Sequence, residues 1–259
     1  MVSSDPAPQA PGHLWSLTGL RFIAALAVLG SHVMLRMPAG QVRDVLSRGL
    51  TQGFVGVSFF FILSGFILTW SRRDGDTSRQ FYRRRFARVM PAYWVALVLA
   101  VVANTVFGTA QTASQPLPSF FAIQAWFPVD RIHFGGNTVG WSLSAEVFFY
   151  AVFPLLLVAL RSPRARIVMV TLAVIAIFAV PALLSSSDEQ SLGYWVIYIL
   201  PLQCLAEFVV GMGLAHAMRS GCRSLSGEQP ASLPPPTWRS TSSRSRSSTW
   251  PPLRFRSRF

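Results

Sequence analysis

The chain has 259 residues, of which 51% are hydrophobic and 13% charged, and its mean hydropathy is positive. That balance excludes an ordinary soluble domain and fits an integral membrane protein. All 23 basic residues are arginine, and the net charge is +13. Seven of them lie between Arg72 and Arg88, beside apolar runs, and seven more follow residue 220. Membrane orientation is therefore a sufficient reason for the first group, and the charge alone is no sign of nucleic-acid binding. Two cysteines, Cys204 and Cys222, make neither a disulfide framework nor a CxxC metal site.

The opening residues, MVSSDPAPQAPGH, are polar and proline-rich with no positively charged n-region. They are not expected to form a cleavable signal peptide, and 1–16 is expected to be a short disordered lead. Six apolar runs follow. They are expected to span a membrane at about 17–35, 53–70, 91–107, 139–160, 166–184 and 194–218, the third starting at Pro91 because proline suits a first helical turn.

The first span, LTGLRFIAALAVLGSHV, carries Arg21 and His32, eleven positions apart. On a helix they fall within about 20° of one face, about 16 Å apart along the axis. Ionisable groups in lipid need a partner or a task. Either Arg21 snorkels and His32 hydrogen-bonds a neighbouring helix, or the stripe faces a polar cavity where His32 does acid–base chemistry. The second span, GFVGVSFFFILSGFILTW, mixes Gly53, Gly56, Ser58, Ser64 and Gly65 with phenylalanines. It reads as a packing helix, since small residues let backbones approach.

Next comes SRRDGDTSRQFYRRRFARVMPAYW. If helical, it places Arg85 and Arg88 on one face. The pair can grip phosphate bidentately, or it can serve topology and contact anionic lipid. The long connection 108–138 is expected to be functional or partly folded, with His133 read as a surface histidine.

Span four opens GWSLSAEVFFYAVFP, where Ser142, Glu146, Tyr150 and Pro154 follow at four-residue intervals in one polar stripe. Pro154 is expected to kink it. Glu146 calls for a donor or a cation, and Arg21 and His32 are the expected partners. Span six adds Glu207, Gly211, Gly213 and an interfacial His216. From residue 220 the chain turns to arginine, serine and proline without periodicity. Residues 220–259 are expected to be a disordered tail, and no nucleic-acid partner is expected because no folded motif supports one.

Counting arginines across the spans gives ten on one side and four on the other before the tail. The positive-inside rule then places the N-terminus and 71–90 in the cytoplasm and 108–138 outside. The chain lacks a phosphate-binding loop with lysine, HExxH and GxSxG, and no metal is expected. An arginine-rich inner face beside an intramembrane histidine and carboxylates suits group transfer from an anionic donor. Intramembrane charge also suits a transporter, but the matched broken helices of many transporters are not seen.

Four stretches resemble the motifs of the membrane acyltransferase-3 family in order. LTGLRFIAALAVLGSHV looks like the first, with its arginine and histidine at Arg21 and His32. GVSFFFILSGFIL looks like the second. FYRRRFARVMPAYW looks like the third, over Phe81, Arg85, Arg88, Pro91 and Tyr93. WSLSAEVFFYAVFP is similar to the fourth, over Trp141, Ser142, Leu143, Glu146, Tyr150 and Pro154. LAEFVVGMGLA resembles a weaker later one. The resemblance implies an all-α, polytopic membrane helix bundle in the inner (plasma) membrane. It implies O-acyl transfer, from cytoplasmic acyl-CoA, often acetyl-CoA, used as a co-substrate with no bound cofactor, to a hydroxyl of a glycan or small acceptor. It implies His32, Arg21 and Glu146 as catalytic, Arg85 and Arg88 as donor-binding, and Ser142, Tyr150 and Trp141 as supporting residues. The family has about ten helices and the resemblance ends near residue 219. The expectation is an acyltransferase domain over 17–219 that is truncated, with an inactive remnant as the alternative.

Overall fold

The computed structural model describes residues 15–36, 38, 40, 53–72, 75–107, 112, 115–184 and 191–227. Side chains are described for all of these but 15–18, 21, 34–36, 53–54 and 221–227. The chain divides into a unit of residues 1–221, which holds the bundle, and one of residues 222–259, of which 222–227 are described, as helix. The fold is all-α, with no strand among the described residues.

Among the described residues six long helices carry it: α1 (Trp15–Arg36), α2 (Gly53–Trp70), α3 (Ser78–Val106), α4 (Trp141–Ala159), α5 (Pro163–Leu184) and α6 (Pro201–Gly227). A single turn, Leu192–Tyr194, and a wider π-helical turn, Trp195–Ile199, lead into α6. Among the described residues, four segments are long and apolar enough to cross a membrane: Ser78–Val106, Trp141–Ala159, Pro163–Leu184 and Leu192–Ser220. The shorter apolar stretches Phe22–Val33 and Val55–Trp70 complete the six expected positions. The chain is a multi-pass membrane protein.

Helix α3 corrects one boundary. It begins at Ser78, not at Pro91, because Thr77 and Gln80 form a reciprocal capping box. Gln80 N–H donates to Thr77 Oγ1 at 3.3 Å, and Thr77 N–H to Gln80 Oε1 at 3.1 Å. Two otherwise orphaned donors are thereby satisfied. The arginine segment is thus the polar first third of a long helix, and Pro91 sits in its interior. Farther along, Met90, Tyr93 and Leu97 face inward at helical spacing. At the other end of the chain, α6 continues to Gly227, past the expected end near 218. The rest of the expected tail, and Arg43 and Arg48, lie outside the described residues.

The core is aromatic. Phe61 of α2 packs edge-on to Phe149 and Trp141 of α4, and Phe208 of α6 lies 4.9 Å from Phe149 between ring centroids. Against lipid, apolar burial does little to hold helices together, so close backbone packing must contribute. Helices α2 and α6 meet through two glycines. A Cβ on Gly65 would run into the Phe208 carbonyl, and one on Gly211 into the Ile62 carbonyl.

Ends of the helices gather as the arginine pattern requires. Tyr82 of α3 donates to the Ala151 carbonyl of α4 at 2.9 Å, and Arg219 of α6 donates to the Trp70 carbonyl of α2. At the opposite end the connection from α3 to α4 folds as a cap. Tyr93 donates to the Ser119 carbonyl at 2.5 Å, and fully buried Gln124 donates to Tyr93 Oη at 3.1 Å and the Gly140 carbonyl at 2.8 Å. Trp195 ties the entry to α6 onto it through the Ala125 carbonyl at 3.0 Å. This is the ordered structure expected of so long a connection.

His133 belongs to this cap and is not a surface residue: 1% of it is exposed. Its Nδ1 is 3.1 Å from the Phe127 carbonyl and its Nε2 3.5 Å from Asp130. Burial lowers its pKa, and the Phe127 carbonyl and the Asp130 charge oppose that shift without cancelling it.

Candidate active site

Two clefts lie beside each other on the arginine-bearing side of the bundle. The larger, about 790 Å³, is lined by Arg72, Arg84, Arg85, Arg88 and Arg161, with Asp76 as its carboxylate. Asp76 engages Arg84 through both oxygens, at 2.5 and 3.2 Å. The smaller, about 440 Å³, lies between α1, α2, α3 and α4 and is lined by Ser142, Glu146 and Tyr150 with apolar Val28, Phe60 and Phe61 among others. Arg85, Arg88 and Leu68 line both. Three residues apart on α3, the two arginines share a face and form the partition between a basic vestibule and an intramembrane cleft. Arg85 also lies over the rings of Phe81 and Tyr150, at 5.6 and 5.8 Å, contacts that help hold a charge at an apolar boundary.

The stripe on α4 runs as its spacing requires. Ser142, Glu146 and Tyr150 line the inner cleft, and Pro154, one turn on, lines the vestibule. Ser142 Oγ donates to the Val139 carbonyl at 3.0 Å, so it steadies the start of its helix. Trp141 is buried against Phe61.

Among the described side chains, Glu146 has two hydroxyl partners; the side chain of Arg21, one of the partners expected for it, lies outside them. Tyr150, one turn along α4, and Ser64 of α2 both donate to Oε1, the serine at 3.1 Å. Two hydroxyl donors stabilise a carboxylate in this setting. A parallel arrangement holds Glu207 of α6, which accepts a hydrogen bond from Ser58. The serines of α2 are thus more than the packing residues their size suggested. Each serves a carboxylate on another helix, and their six-residue separation carries no signal of that in the sequence.

His32 sits one helical turn beyond Val28, a wall residue of the inner cleft, and is partly buried. Its Nδ1 lies 2.9 Å from the Val28 carbonyl. A carbonyl only accepts, so Nδ1 carries the hydrogen and the lone pair of the neutral ring is on Nε2. Arg21 is on the same helix, but its side chain lies outside the described residues. Among the described residues, no three of His, Cys, Asp or Glu gather as a metal ion requires.

Geometry of this kind, a cationic entrance joined to a cleft with a hydrogen-bonded carboxylate, and a histidine that lines neither cleft but lies one turn beyond the inner cleft's wall, can take an anionic donor on one side and a hydroxyl on the other. Known proteins agree in type. The chain is 36% identical over 225 residues to the acyltransferase MdmB of Streptomyces mycarofaciens, covering 80% of this chain and 58% of that one. It is 28% identical over 156 residues to the peptidoglycan O-acetyltransferase OatA of Listeria monocytogenes, covering 54% and 23%. Over 108 residues it is 35% identical to the exopolysaccharide production protein ExoZ of Rhizobium meliloti, covering 40% and 34%. The chain therefore spans between about a quarter and three-fifths of these relatives' lengths. No solved structure matches it. The acyltransferase-3 model, described as an acyltransferase domain, matches residues 14–221, which include all six spans and both clefts, and the chain belongs to that family of membrane proteins.

Proposed function

We propose that the chain is a membrane O-acyltransferase that moves an acyl group, acetyl in the simplest case, from acyl-CoA to a hydroxyl of a glycan or other small acceptor. The observation that carries this reading is the shared wall of Arg85 and Arg88 between the two clefts. The phosphates of coenzyme A sit in the vestibule among the arginines. The thioester reaches past Arg85 and Arg88 into the inner cleft. The names of the relatives, one a peptidoglycan O-acetyltransferase and one an exopolysaccharide production protein, favour a glycan acceptor.

In this mechanism His32 Nε2 takes the proton of the acceptor hydroxyl as its oxygen attacks the thioester carbonyl. The carbon–sulfur bond breaks, the ester forms, and the thiolate leaves with the proton returned by the imidazolium. Glu146 accepts a hydrogen bond from the acceptor and is itself fixed by Ser64 and Tyr150. Arg21 steadies the donor or the acceptor from the same helix as His32.

The vestibule faces the cytoplasm of the inner (plasma) membrane and the α3–α4 cap faces out, with the N-terminus inside, by the arginine balance. Single cysteines replacing Ser78 and Leu117, in a background without Cys204 and Cys222, label from opposite sides in this orientation; labelling from one side refutes it.

The enzymatic reading is tested by incubating the protein in membranes with radiolabelled acetyl-CoA and a panel of glycans. Label passes to a hydroxyl acceptor, and His32→Ala lowers the rate by about 10²–10⁴-fold with membrane insertion unchanged. Transfer that is indifferent to His32 would overturn its assigned role, and donor binding without transfer to any hydroxyl would overturn the reaction.

A further inference from the structure

Away from both catalytic groups, the arginine-bearing end of the bundle holds a second polar cluster, where α2, α5 and α6 meet. Among the described residues, six buried side-chain polar atoms lack a hydrogen-bond partner. Four of them are here: Thr69 Oγ1, Trp70 Nε1, Arg166 Nε and His216 Nε2. The remaining two belong to Gln124 and His133 in the cap. Arg219 binds the cluster together. It donates to the Trp70 carbonyl and lies over the Trp70 ring, its Cζ 5.6 Å from the centroid. It is also one turn beyond His216 on α6. Arg166, Arg219 and Arg72 all place positive charge on His216. Among the described residues, no carboxylate pairs with any of these three arginines.

Buried polar atoms nearly always have partners, and those that lack one call for a ligand, a water or an ion. The Trp70 indole and the Arg166 guanidinium can only donate, and Thr69 can donate as well. Three guanidinium charges, with no carboxylate paired to them among the described residues, add the sign. The group that satisfies such a cluster is an anion rich in acceptor oxygens. We propose that this cluster is a binding site for the phosphodiester headgroup of an anionic phospholipid. Three observations favour a lipid over a free anion. Trp70 ends α2, the place where a tryptophan anchors at a membrane interface. Arg166 opens α5, whose outward face is apolar: Ile167, Leu172, Ile175 and Phe178 are each more than half exposed. That face gives acyl chains a surface leading directly from the headgroup. Arg72 is shared with the vestibule, but Arg166, His216 and Arg219, which carry the site, line neither cleft.

Native mass spectrometry of the purified full chain, titrated separately with phosphatidylglycerol and phosphatidylcholine, tests the site. The wild type retains phosphatidylglycerol at about tenfold lower concentration than phosphatidylcholine, and the double variant Arg166→Gln, Arg219→Gln holds the two alike. Lysine at both positions keeps the preference, which separates loss of charge from loss of fold. If the double variant does not fold, Arg219→Gln alone decides in its place. Equal retention of the two lipids by the wild type overturns the proposal, as does an undiminished preference in the glutamine variant. So does displacement of phosphatidylglycerol by millimolar inorganic phosphate but not by chloride of equal ionic strength, which would assign the site to a free phosphate.

Discussion

Ser64 and Glu146 are 82 positions apart in the chain and 3.1 Å apart in space, with Ser64 Oγ donating to the carboxylate. This contact joins α2 to α4 at the wall of the inner cleft, and Tyr150 donates to the same oxygen. Hydrogen bonds to charged groups contribute about 1.5–3 kcal/mol, and Glu146 is half-buried. Ser64→Ala is therefore expected to destabilise the protein by about that amount. In Glu146→Gln the same serine change should cost less, because the acceptor is then neutral. A double-mutant cycle on thermal unfolding measures the difference as a coupling energy. Strictly additive losses would show that the two residues do not act as a pair.

Arg85 and Arg88 are expected to act on the donor. Each charge-assisted contact with phosphate is of the order of 1.5–3 kcal/mol, so Arg85→Ala and Arg88→Ala should each raise the KM for acyl-CoA by about ten- to a hundredfold. Turnover at saturating donor should fall far less. The split between KM and kcat is the readout. An unchanged donor dependence in both variants would return these arginines to topology and lipid contact. Arg166→Gln and Arg219→Gln should leave the donor KM unaltered.

Much of the fold was legible because lipid imposes a simple grammar. Six apolar runs became six helical segments, since a backbone in hydrocarbon must satisfy its hydrogen bonds internally. The stripe of Ser142, Glu146 and Tyr150 and the pairing of Arg85 with Arg88 were equally readable, because helical spacing alone puts such residues on one face. What was not readable depended on tertiary partners. Ser58 and Ser64 look like any small residues in a packing helix, and only the approach of α6 and α4 makes them donors to Glu207 and Glu146. Pro91 misled, although the signal for the true start of α3 was present as Thr77 and Gln80, three residues apart. His133 misled because its burial is set by the whole cap and not by its neighbours.

Gly65 and Gly211 should tolerate no side chain. Each faces the backbone of the other's helix, and backbone cannot swing aside as a side chain can. Gly211→Ala should force α2 and α6 apart and cost about 1–3 kcal/mol, as overpacking does elsewhere. By contrast, Gly19→Ala, with nothing within 4 Å of the added carbon, should be neutral or slightly stabilising through helix propensity. Thermal unfolding of the two variants in one detergent makes the comparison, and equal melting temperatures would show that the α2–α6 contact is looser than the glycines require.

His133 should make the cap sensitive to acid. Burial lowers its pKa in the folded chain, whereas in the unfolded chain it has the ordinary value of about 6.5. Well above pH 6.5 the ring is neutral in both states and its contribution to stability is fully present. As the pH falls below about 6.5, the unfolded chain takes up a proton that the folded chain resists, and stability is lost. The loss continues until the pH passes the lowered folded value, below which both states are protonated and the contribution levels off. Asp130, 3.5 Å from Nε2, softens the effect by favouring the protonated ring. Thermal unfolding measured from pH 7.5 to 5 should therefore show a falling melting temperature in the wild type. The slope should be shallower in His133→Gln, which can keep a hydrogen bond to the Phe127 carbonyl but cannot titrate. The same slope in both proteins would place the acid sensitivity elsewhere.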